Sequence, residues 1–314
     1  MSGKQCERLS GDESGIARAA ELLRAGELVA IPTETVYGLA ARADNEAAVA
    51  EIYRAKGRPD FNPLIVHVGS RALARSLAVF DSCAELLSER FWPGPLTLVL
   101  PIREPSIIAP AVTAGLPTIA LRQPAHPLTA ALLERLNLPL AAPSANRSGT
   151  LSPTKAEHVA ASLGAAPAAI LDGGASTRGM ESTIAALRED GSWQLLRPGP
   201  VTEAQLAALL GPATRLREAR IEAPGQLARH YSPGKPVRLD ALAPGGDEFM
   251  VGLGEIAGDC NLSATGDLAE AAARLYACLH EAAASDRPRI AVAAVPERGI
   301  GAAINDRLRR AAAG

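Results

Sequence analysis

The sequence predicts an α/β protein with two domains, and three observations lead to that class. Short apolar strands such as residues 28–31 alternate with amphipathic helices along nearly the whole chain, which is the pattern of α/β folds. With 314 residues the chain is long enough for two domains. A polar segment that carries Tyr, His and Arg then precedes a shorter alternating α/β region. We place the first domain at residues 1–215, the linker at 216–236 and the second domain at 237–314.

The charge distribution limits the possible ligands. The net charge is −2, whereas a general nucleic-acid coat requires a strongly basic face. Residues 235–314 carry nine Lys and Arg against eleven Asp and Glu, which leaves 23 of each in residues 1–234. Any anion site must therefore be a local cluster of cations, which suits a small phosphate-bearing ligand better than a polynucleotide.

The sequence also predicts a cytoplasmic protein with no membrane partner. The opening residues are polar, and no apolar run approaches the roughly eighteen residues that a membrane helix needs. The cysteines are scattered without CxxC spacing, so the sequence indicates neither a zinc site nor a disulfide framework.

Taken in order, the first elements place polar and cationic side chains at their ends. Residues 10–13 fit a capping box for a helix that ends at Gly26, and the strand 28–31 ends at Pro32. A helix capped by Asp44 or Asn45 stops at Gly57, which puts Lys56 and Arg58 at its C-terminus. From the residues alone, these two cations either bind an anion or complement the helix dipole.

The later elements repeat this alternation. The predicted helices cover 70–77, 82–91, 127–136, a segment from the cap Thr154 to 163, a segment capped by Thr202 to 210, 267–284 and 302–312. The predicted strands cover 96–100, 118–121, 138–142, 169–172, 184–187, 193–196, 249–253 and 290–295, with a loop at 110–116.

Several motifs along this framework are similar to those of the Sua5/YrdC/YciO family. They are PTETVYGL at 32–39, KGRP at 56–59, NPLIVH at 62–67, APSANRSGTLSPT at 142–154, DGG at 172–174, EST at 181–183 and LRPG at 196–199. The resemblance spans about residues 10–210 and implies a YrdC-like twisted mixed sheet with helices around a concave site. Residues 261–263 and 304–308 resemble the Sua5 C-terminal domain, which implies a small Rossmann-like α/β domain.

The resemblance implies an activity as well. Characterised members make threonylcarbamoyl-AMP and pyrophosphate from L-threonine, bicarbonate or CO2, and ATP, for the tRNA modification threonylcarbamoyladenosine. It also implies Mg²⁺ carried by the triphosphate, and a downstream threonylcarbamoyl transferase that acts on tRNA. The chain has no G-x-x-x-x-G-K-[ST] motif, so its ATP site is not a P-loop.

By the same resemblance, particular side chains take particular roles. The catalytic pair is Lys56 and Arg58. The residues implied for L-threonine are Thr35, His67, Arg122 and Ser182. The residues implied for ATP are Lys56, Arg58, Asn62, Thr118, Ser144, Asn146, Ser152, Arg197 and Tyr231.

The linker resembles the interdomain segment of Sua5-type proteins, which folds back over the active site. Its His230 and Tyr231 are unusual for an inert spacer, and Gln226 and Ala228 stand where family members often have Met and Tyr.

Two other functions remain open from the sequence. One is a double-stranded RNA-binding module, although the neutral first domain and the few aromatic residues weigh against it. The other is carbamoyl-adenylate chemistry on another substrate, as in hydrogenase-maturation relatives.

Overall fold

The computed structural model describes residues 6–214, 222–224 and 230–313. They form one ten-stranded sheet in the first domain and one four-stranded sheet in the second. The predicted domain boundaries stay a prediction, because parts of the segment between the two domains lie outside the described residues. Gln226 and Ala228 are among those residues.

The first domain is built on a mixed sheet, as predicted. Its strand order is β1-β8-β2-β3-β7-β4-β6-β5-β9-β10, with parallel pairs such as β4 and β6 and antiparallel pairs such as β5 and β6. The strands are β1 (Glu7–Leu9), β2 (Val29–Ile31), β3 (Gly38–Arg42), β4 (Ile65–His67), β5 (Leu96–Pro101), β6 (Thr118–Arg122), β7 (Leu140–Ala141), β8 (Ala169–Leu171), β9 (Thr183–Leu187) and β10 (Trp193–Arg197).

Helices cover both faces of this sheet. They are α1 (Glu13–Arg24), α2 (Glu46–Lys56), α3 (Arg71–Leu77), α4 (Ser82–Phe91), α5 (Pro110–Thr113), α6 (Pro127–Leu136), α7 (Ala156–Leu163) and α8 (Glu203–Leu210). The side chains of β2 alternate between the two faces. Val29 and Ile31 pack with apolar residues of α1 and α6, whereas Ala30 packs with those of α2 and α7. Because both faces are buried, strand ends and loops are where polar groups can meet.

Local capping chemistry predicted some helix ends correctly and others wrongly. The Asn45 side chain accepts from the Ala48 amide, and Gly57 ends α2 in the left-handed conformation, as predicted. At α1 the cap is Asp12, because its carboxylate accepts from the Gly15 amide. At α7 the cap is Lys155 rather than Thr154, with no side-chain hydrogen bond. The predicted loop 110–116 contains the short helix α5.

The second domain is a small parallel α/β unit. Its elements are β11 (Val237–Arg238), β12 (Glu248–Gly252), β13 (Cys260–Asn261), α9 (Leu268–Ala284), β14 (Arg289–Val292) and α10 (Gly301–Ala312). The prediction of no disulfide is wrong here: Cys260 and Cys278 are joined, with their Cα atoms 6.0 Å apart. The fold makes this pairing by laying β13 against α9, which sequence spacing does not reveal. Within the described ranges, no helix is both long and apolar enough to cross a membrane.

The two domains share one apolar cluster. Val36, Leu151 and Met180 of the first domain belong to the same cluster as Leu275 and Tyr276 of the second. At Gly179 the backbones nearly touch, because a Cβ atom there would lie 2.0 Å from the Ala273 carbonyl oxygen. The second domain is therefore packed directly against the loop that precedes β9.

Candidate active site

A cavity of about 40 Å³ lies between the first domain and the linker. It is bordered by the loops after β2 and β7, by side chains of β4, β6 and β10, and by residues 224, 230 and 231. The predicted site residues that line it are Thr35, Arg58, His67, Arg122, Ser144, Ser182, Arg197 and Tyr231. Positions scattered over nearly two hundred residues thus meet in one place.

Five predicted residues do not line this cavity. Four of them are buried and hydrogen-bond to its lining residues or to one another: Lys56, Asn62, Asn146 and Ser152. Thr118 begins β6, whereas Arg122 ends that strand at the cavity. The structure therefore does not bring Thr118 to the cavity, and its role stays a prediction.

Arg122 is held in a fixed orientation by three partners. Its Nη1 donates to Thr35 Oγ1 at 2.9 Å, Nη2 to Glu34 Oε1 at 2.7 Å and Nε to the Gly94 carbonyl at 3.2 Å. Both members of the Arg122–Glu34 ion pair are buried. Glu34 lies inside the PTET motif, yet no pattern in the sequence singled it out. Its role is visible only once β6 lies beside the loop after β2.

His67 lies on β4 directly opposite Arg122 on β6. It faces the cavity, whereas its neighbours Val66 and Val68 join the core. Burial, reinforced by the Arg122 charge, lowers the pKa of His67 to about 3, so the ring is neutral at pH 7. A neutral imidazole can donate or accept one hydrogen bond beside a charged substrate group.

This lowered pKa predicts an acid-sensitive fold. The unfolded chain holds a proton on His67 below pH 6.5 and the folded chain does not, so stability is lost as pH falls through that value. Between pH 7.5 and 5 the contribution of His67 is on the order of 2 kcal/mol. Urea unfolding followed by tryptophan fluorescence measures it, because Trp92 and Trp193 both lie in the first domain. We expect His67→Gln to unfold with a visibly shallower pH dependence, and equal slopes would contradict the buried neutral state.

The other end of the cavity is cationic. Arg58 donates from Nε to the Asn62 carbonyl at 3.0 Å and from Nη2 to the Pro63 carbonyl at 2.8 Å. Arg197, at the end of β10, donates to the Ser182 carbonyl at 3.0 Å and to Ser182 Oγ at 3.1 Å. Burial lowers the pKa of Arg58 to about 10, which leaves it charged at pH 7.

Lys56 lies behind this end of the cavity. Its Nζ donates to the carbonyls of Ser144 and Asn146 at 2.6 and 2.5 Å, so it anchors the loop after β7. Burial and the neighbouring Arg58 charge lower its pKa well below the usual range. A nearby anion would offset both effects and favour the charged ammonium.

Unpaired polar atoms cluster at the same place. Within the described ranges, six buried side-chain N or O atoms have no hydrogen-bond partner. Four belong to residues at this site: Asn62 Oδ1, Asn146 Oδ1, His67 Nδ1 and His230 Nδ1. Buried polar groups are rarely left unpaired, so water or a polar ligand is expected to bond these atoms.

Three described residues of the linker, Pro224, His230 and Tyr231, line the cavity. Tyr231 is 1% exposed, and its backbone has a φ of 63°, which is unusual for a residue other than glycine. The Ser232 amide donates to the Gly149 carbonyl at 2.8 Å, which ties the linker to the loop after β7. His230 and Tyr231 thus narrow the cavity from the linker side.

Comparison with known proteins identifies relatives of this chain. The sequence model of the Sua5/YciO/YrdC family, described as "Telomere recombination", matches residues 21–199. A second one, "Threonylcarbamoyl-AMP synthase, C-terminal domain", matches residues 201–313. The Threonylcarbamoyl-AMP synthase of Bacillus subtilis is 41% identical, over 98% of this chain and 96% of that protein. The protein of that name from Pyrococcus abyssi is 39% identical, over 96% of this chain and 94% of its own length.

Solved structures give the same result. The structure of P. abyssi Sua5 complexed with L-threonine superimposes with a TM-score of 0.88 at 36% identity, covering 98% of this chain and 97% of that one. A full-length HypF in phosphate- and nucleotide-bound form reaches a TM-score of 0.53 at 21% identity, covering 59% of this chain and 30% of that one. The second likeness shows a shared fold alone.

Proposed function

The chain belongs to the Sua5/YrdC/YciO family, and from this premise we infer that it is a threonylcarbamoyl-AMP synthase. The reaction joins L-threonine, bicarbonate or CO2, and ATP. The threonine amine loses a proton and bonds to CO2 as a carbamate. A carbamate oxygen then attacks the α-phosphate of ATP, and pyrophosphate leaves with the electrons of the broken P–O bond. The product enters the modification of tRNA.

One observation supports this chemistry above the others. Arg58, Arg122 and Arg197 line a single buried cavity. Arg122 is paired with Glu34, and the lining carboxylate Glu181 with Arg307, so among the described residues of the lining the charges of Arg58 and Arg197 are the ones without a carboxylate in an ion pair. The cavity thus carries an excess of positive charge, although residues 1–234 contain equal numbers of acidic and basic residues. Such an arrangement stabilises the negative charge of a carboxylate and a triphosphate in the same site.

We assign the two ends of the cavity to the two substrates. A guanidinium matches the two oxygens of a carboxylate, so Arg122 takes the L-threonine carboxylate, with Thr35, His67 and Ser182 around the side chain and amine. Arg58, Arg197 and Lys56 take the phosphates, and the unpaired amide oxygens of Asn62 and Asn146 accept from the nucleotide. The protein positions and neutralises charge, so no covalent intermediate with the protein is needed.

The linker supplies the enclosure that the reaction requires. A free carbamate falls apart in water, and closing the site excludes the solvent that destroys it. We propose that residues 230–232 open to admit ATP and then close with Tyr231 against the ligand. The position of Tyr231 in the cavity lining and the Ser232–Gly149 hydrogen bond support this closed state.

Three further parts of the assignment are proposals. Mg²⁺ is carried by the triphosphate, since within the described ranges no group of three or more His, Cys, Asp or Glu side chains could hold a metal. The product passes to a threonylcarbamoyl transferase that acts on tRNA, because a mixed anhydride of this kind must be consumed before it hydrolyses. The third proposal is that the protein works in the cytoplasm, where ATP and tRNA are both present.

Pyrophosphate release by the purified chain tests the substrate assignment. We expect release only when L-threonine, bicarbonate and ATP are all present. Serine should act weakly, since one methyl group in a pocket is worth roughly 1–3 kcal/mol. Alanine and a reaction without amino acid serve as controls, and a carbon dioxide-free buffer removes the third substrate. Equal release without amino acid would reject the assignment.

A further inference from the structure

A buried carboxylate joins the two domains beside the cavity. Glu181 lies in the loop before β9 and lines the cavity next to Ser182. Its Oε1 accepts from the Tyr276 hydroxyl at 2.9 Å and from the Ser152 hydroxyl. Its Oε2 accepts from Arg307 Nε at 2.9 Å. Two of these three donors, Tyr276 and Arg307, come from the second domain.

Arg307 donates hydrogen bonds to the first domain and to its own helix. It is fully buried, although it lies on α10. Beyond Glu181, its Nη2 donates to the Pro198 carbonyl at 2.9 Å and its Nη1 to Asp306 at 2.7 Å. Its guanidinium also lies 5.3 Å from the centre of the Tyr231 ring, within the range of a cation–π contact. One side chain of the second domain thus touches both the cavity loop and the linker.

Glu181 is directly connected to residues of the predicted site. Its carboxylate accepts a hydrogen bond from Ser152. The next residue, Ser182, shares a hydrogen bond of 2.7 Å with the Thr97 hydroxyl and accepts one from Arg197. A shift of Glu181 would therefore displace groups at both ends of the cavity. Although burial alone would raise its pKa, the charges of Arg307 and Arg197 outweigh burial and lower it to about 2. Glu181 is thus a permanent anion at neutral pH, and it needs its partners in place.

The Tyr231 ring has a second neighbour in the same domain. Its centre lies 5.7 Å from that of Tyr276, which also bonds Glu181. Tyr276 and Arg307 therefore provide both the surface against which the linker closes and the donors that orient the cavity loop. These four residues, Glu181, Tyr231, Tyr276 and Arg307, are called the interdomain clamp below.

We propose that Arg307 and Tyr276 are positioning residues of the active site, so that the second domain completes the site of the first. They fix Glu181, and through it Ser152 and Ser182, and they hold Tyr231 in the closed linker. This inference rests on the proposed function for its kinetic readout only. The docking of the linker can be measured without any substrate.

The test uses the full chain and variants that differ by few atoms. Tyr276→Phe removes one hydroxyl and keeps the ring, Arg307→Lys keeps the charge, and Arg307→Met removes it. Arg309→Lys is the matched control, because Arg309 lies on the same helix and is exposed in a pair with Glu297. The readouts are kcat, KM for both substrates, the thermal midpoint, and amide exchange at Ser232 in the ligand-free protein, where that amide bonds Gly149.

We expect kcat/KM to fall roughly tenfold or more in Tyr276→Phe, since a hydrogen bond to a charged group is lost. Arg307→Met should lose more, with partial recovery in Arg307→Lys. Ser232 exchange should rise in the same order, while Arg309→Lys matches the parent. Variants with a lowered thermal midpoint but unchanged kinetics and unchanged Ser232 exchange would overturn the proposal. If Arg307→Met does not fold, Tyr276→Phe decides. If the parent chain releases no pyrophosphate, the proposed function fails, whereas Ser232 exchange still decides the clamp.

Discussion

Replacing Arg122 by lysine is expected to raise KM for L-threonine by roughly a hundredfold, because losing the two parallel hydrogen bonds of a guanidinium to a buried carboxylate costs about 3 kcal/mol. Lysine keeps a positive charge beside the buried Glu34, so that carboxylate is not left without a partner. It cannot, however, bond Thr35, Glu34 and a substrate carboxylate in one plane. KM for ATP should stay close to the parent value, because the phosphate end is formed by other residues.

The control is Arg188→Lys. Arg188 forms a half-buried ion pair with Glu222 and does not line the cavity. Its replacement by lysine is therefore the same chemical change at a place away from the cavity. Initial rates of pyrophosphate release over a range of L-threonine concentrations provide the measurement. An equal rise in KM for ATP, or no change for L-threonine, would argue against Arg122 as the carboxylate site.

Arg58→Ala is expected to lower kcat/KM for ATP by roughly a thousandfold, as for the loss of one preorganised group facing developing charge. Arg54→Ala is the matched control, since Arg54 is exposed about one turn earlier and pairs with Glu51. This pair of variants also decides between the two interpretations of the cations at the end of α2. Arg58 bonds the carbonyls of Asn62 and Pro63 and lines the cavity, which favours the anion site.

If Arg58 only complements the helix dipole, the opposite pattern is expected. Arg58→Ala would then lower the free energy of unfolding by about 0.3–1 kcal/mol and leave turnover unchanged. Some loss of stability is expected for Arg58→Ala in either case, because two buried hydrogen bonds disappear. Urea unfolding of both variants therefore accompanies the kinetics. Retained turnover in Arg58→Ala would support the dipole role.

The elements that the sequence predicted well are those set by local chemistry. Asn45 and Gly57 bound α2 as expected, and Thr202 caps α8 in a full capping box with Gln205. The strand β3 was missed, because Gly38 to Arg42 is rich in Gly and Ala, which have low strand propensity. Its pairing with β2 and β7 forms it nonetheless, and that is a tertiary effect.

The predicted site shows the same division. Arg197 could be singled out because it lies in the LRPG motif after a predicted strand, and Arg122 because it directly follows the predicted strand 118–121. Glu34, Glu181 and Arg307 were not found, since each acts through a partner distant in the sequence. Residues 304–308 resembled the Sua5 C-terminal domain, but nothing in the sequence indicated that Arg307 bonds the cavity residue Glu181. The same reason accounts for the missed pair Cys260 and Cys278.

The most direct test of the central claim is to identify the product. The purified chain is incubated with ATP, L-threonine and ¹³C-bicarbonate, and the nucleotide products are analysed at once by mass spectrometry. The account predicts a threonylcarbamoyl-adenylate that carries one ¹³C atom in its carbamoyl carbon, formed in equal amount to pyrophosphate at early times. An adenylate without the label, or AMP and pyrophosphate with no threonine-containing adenylate, would contradict it.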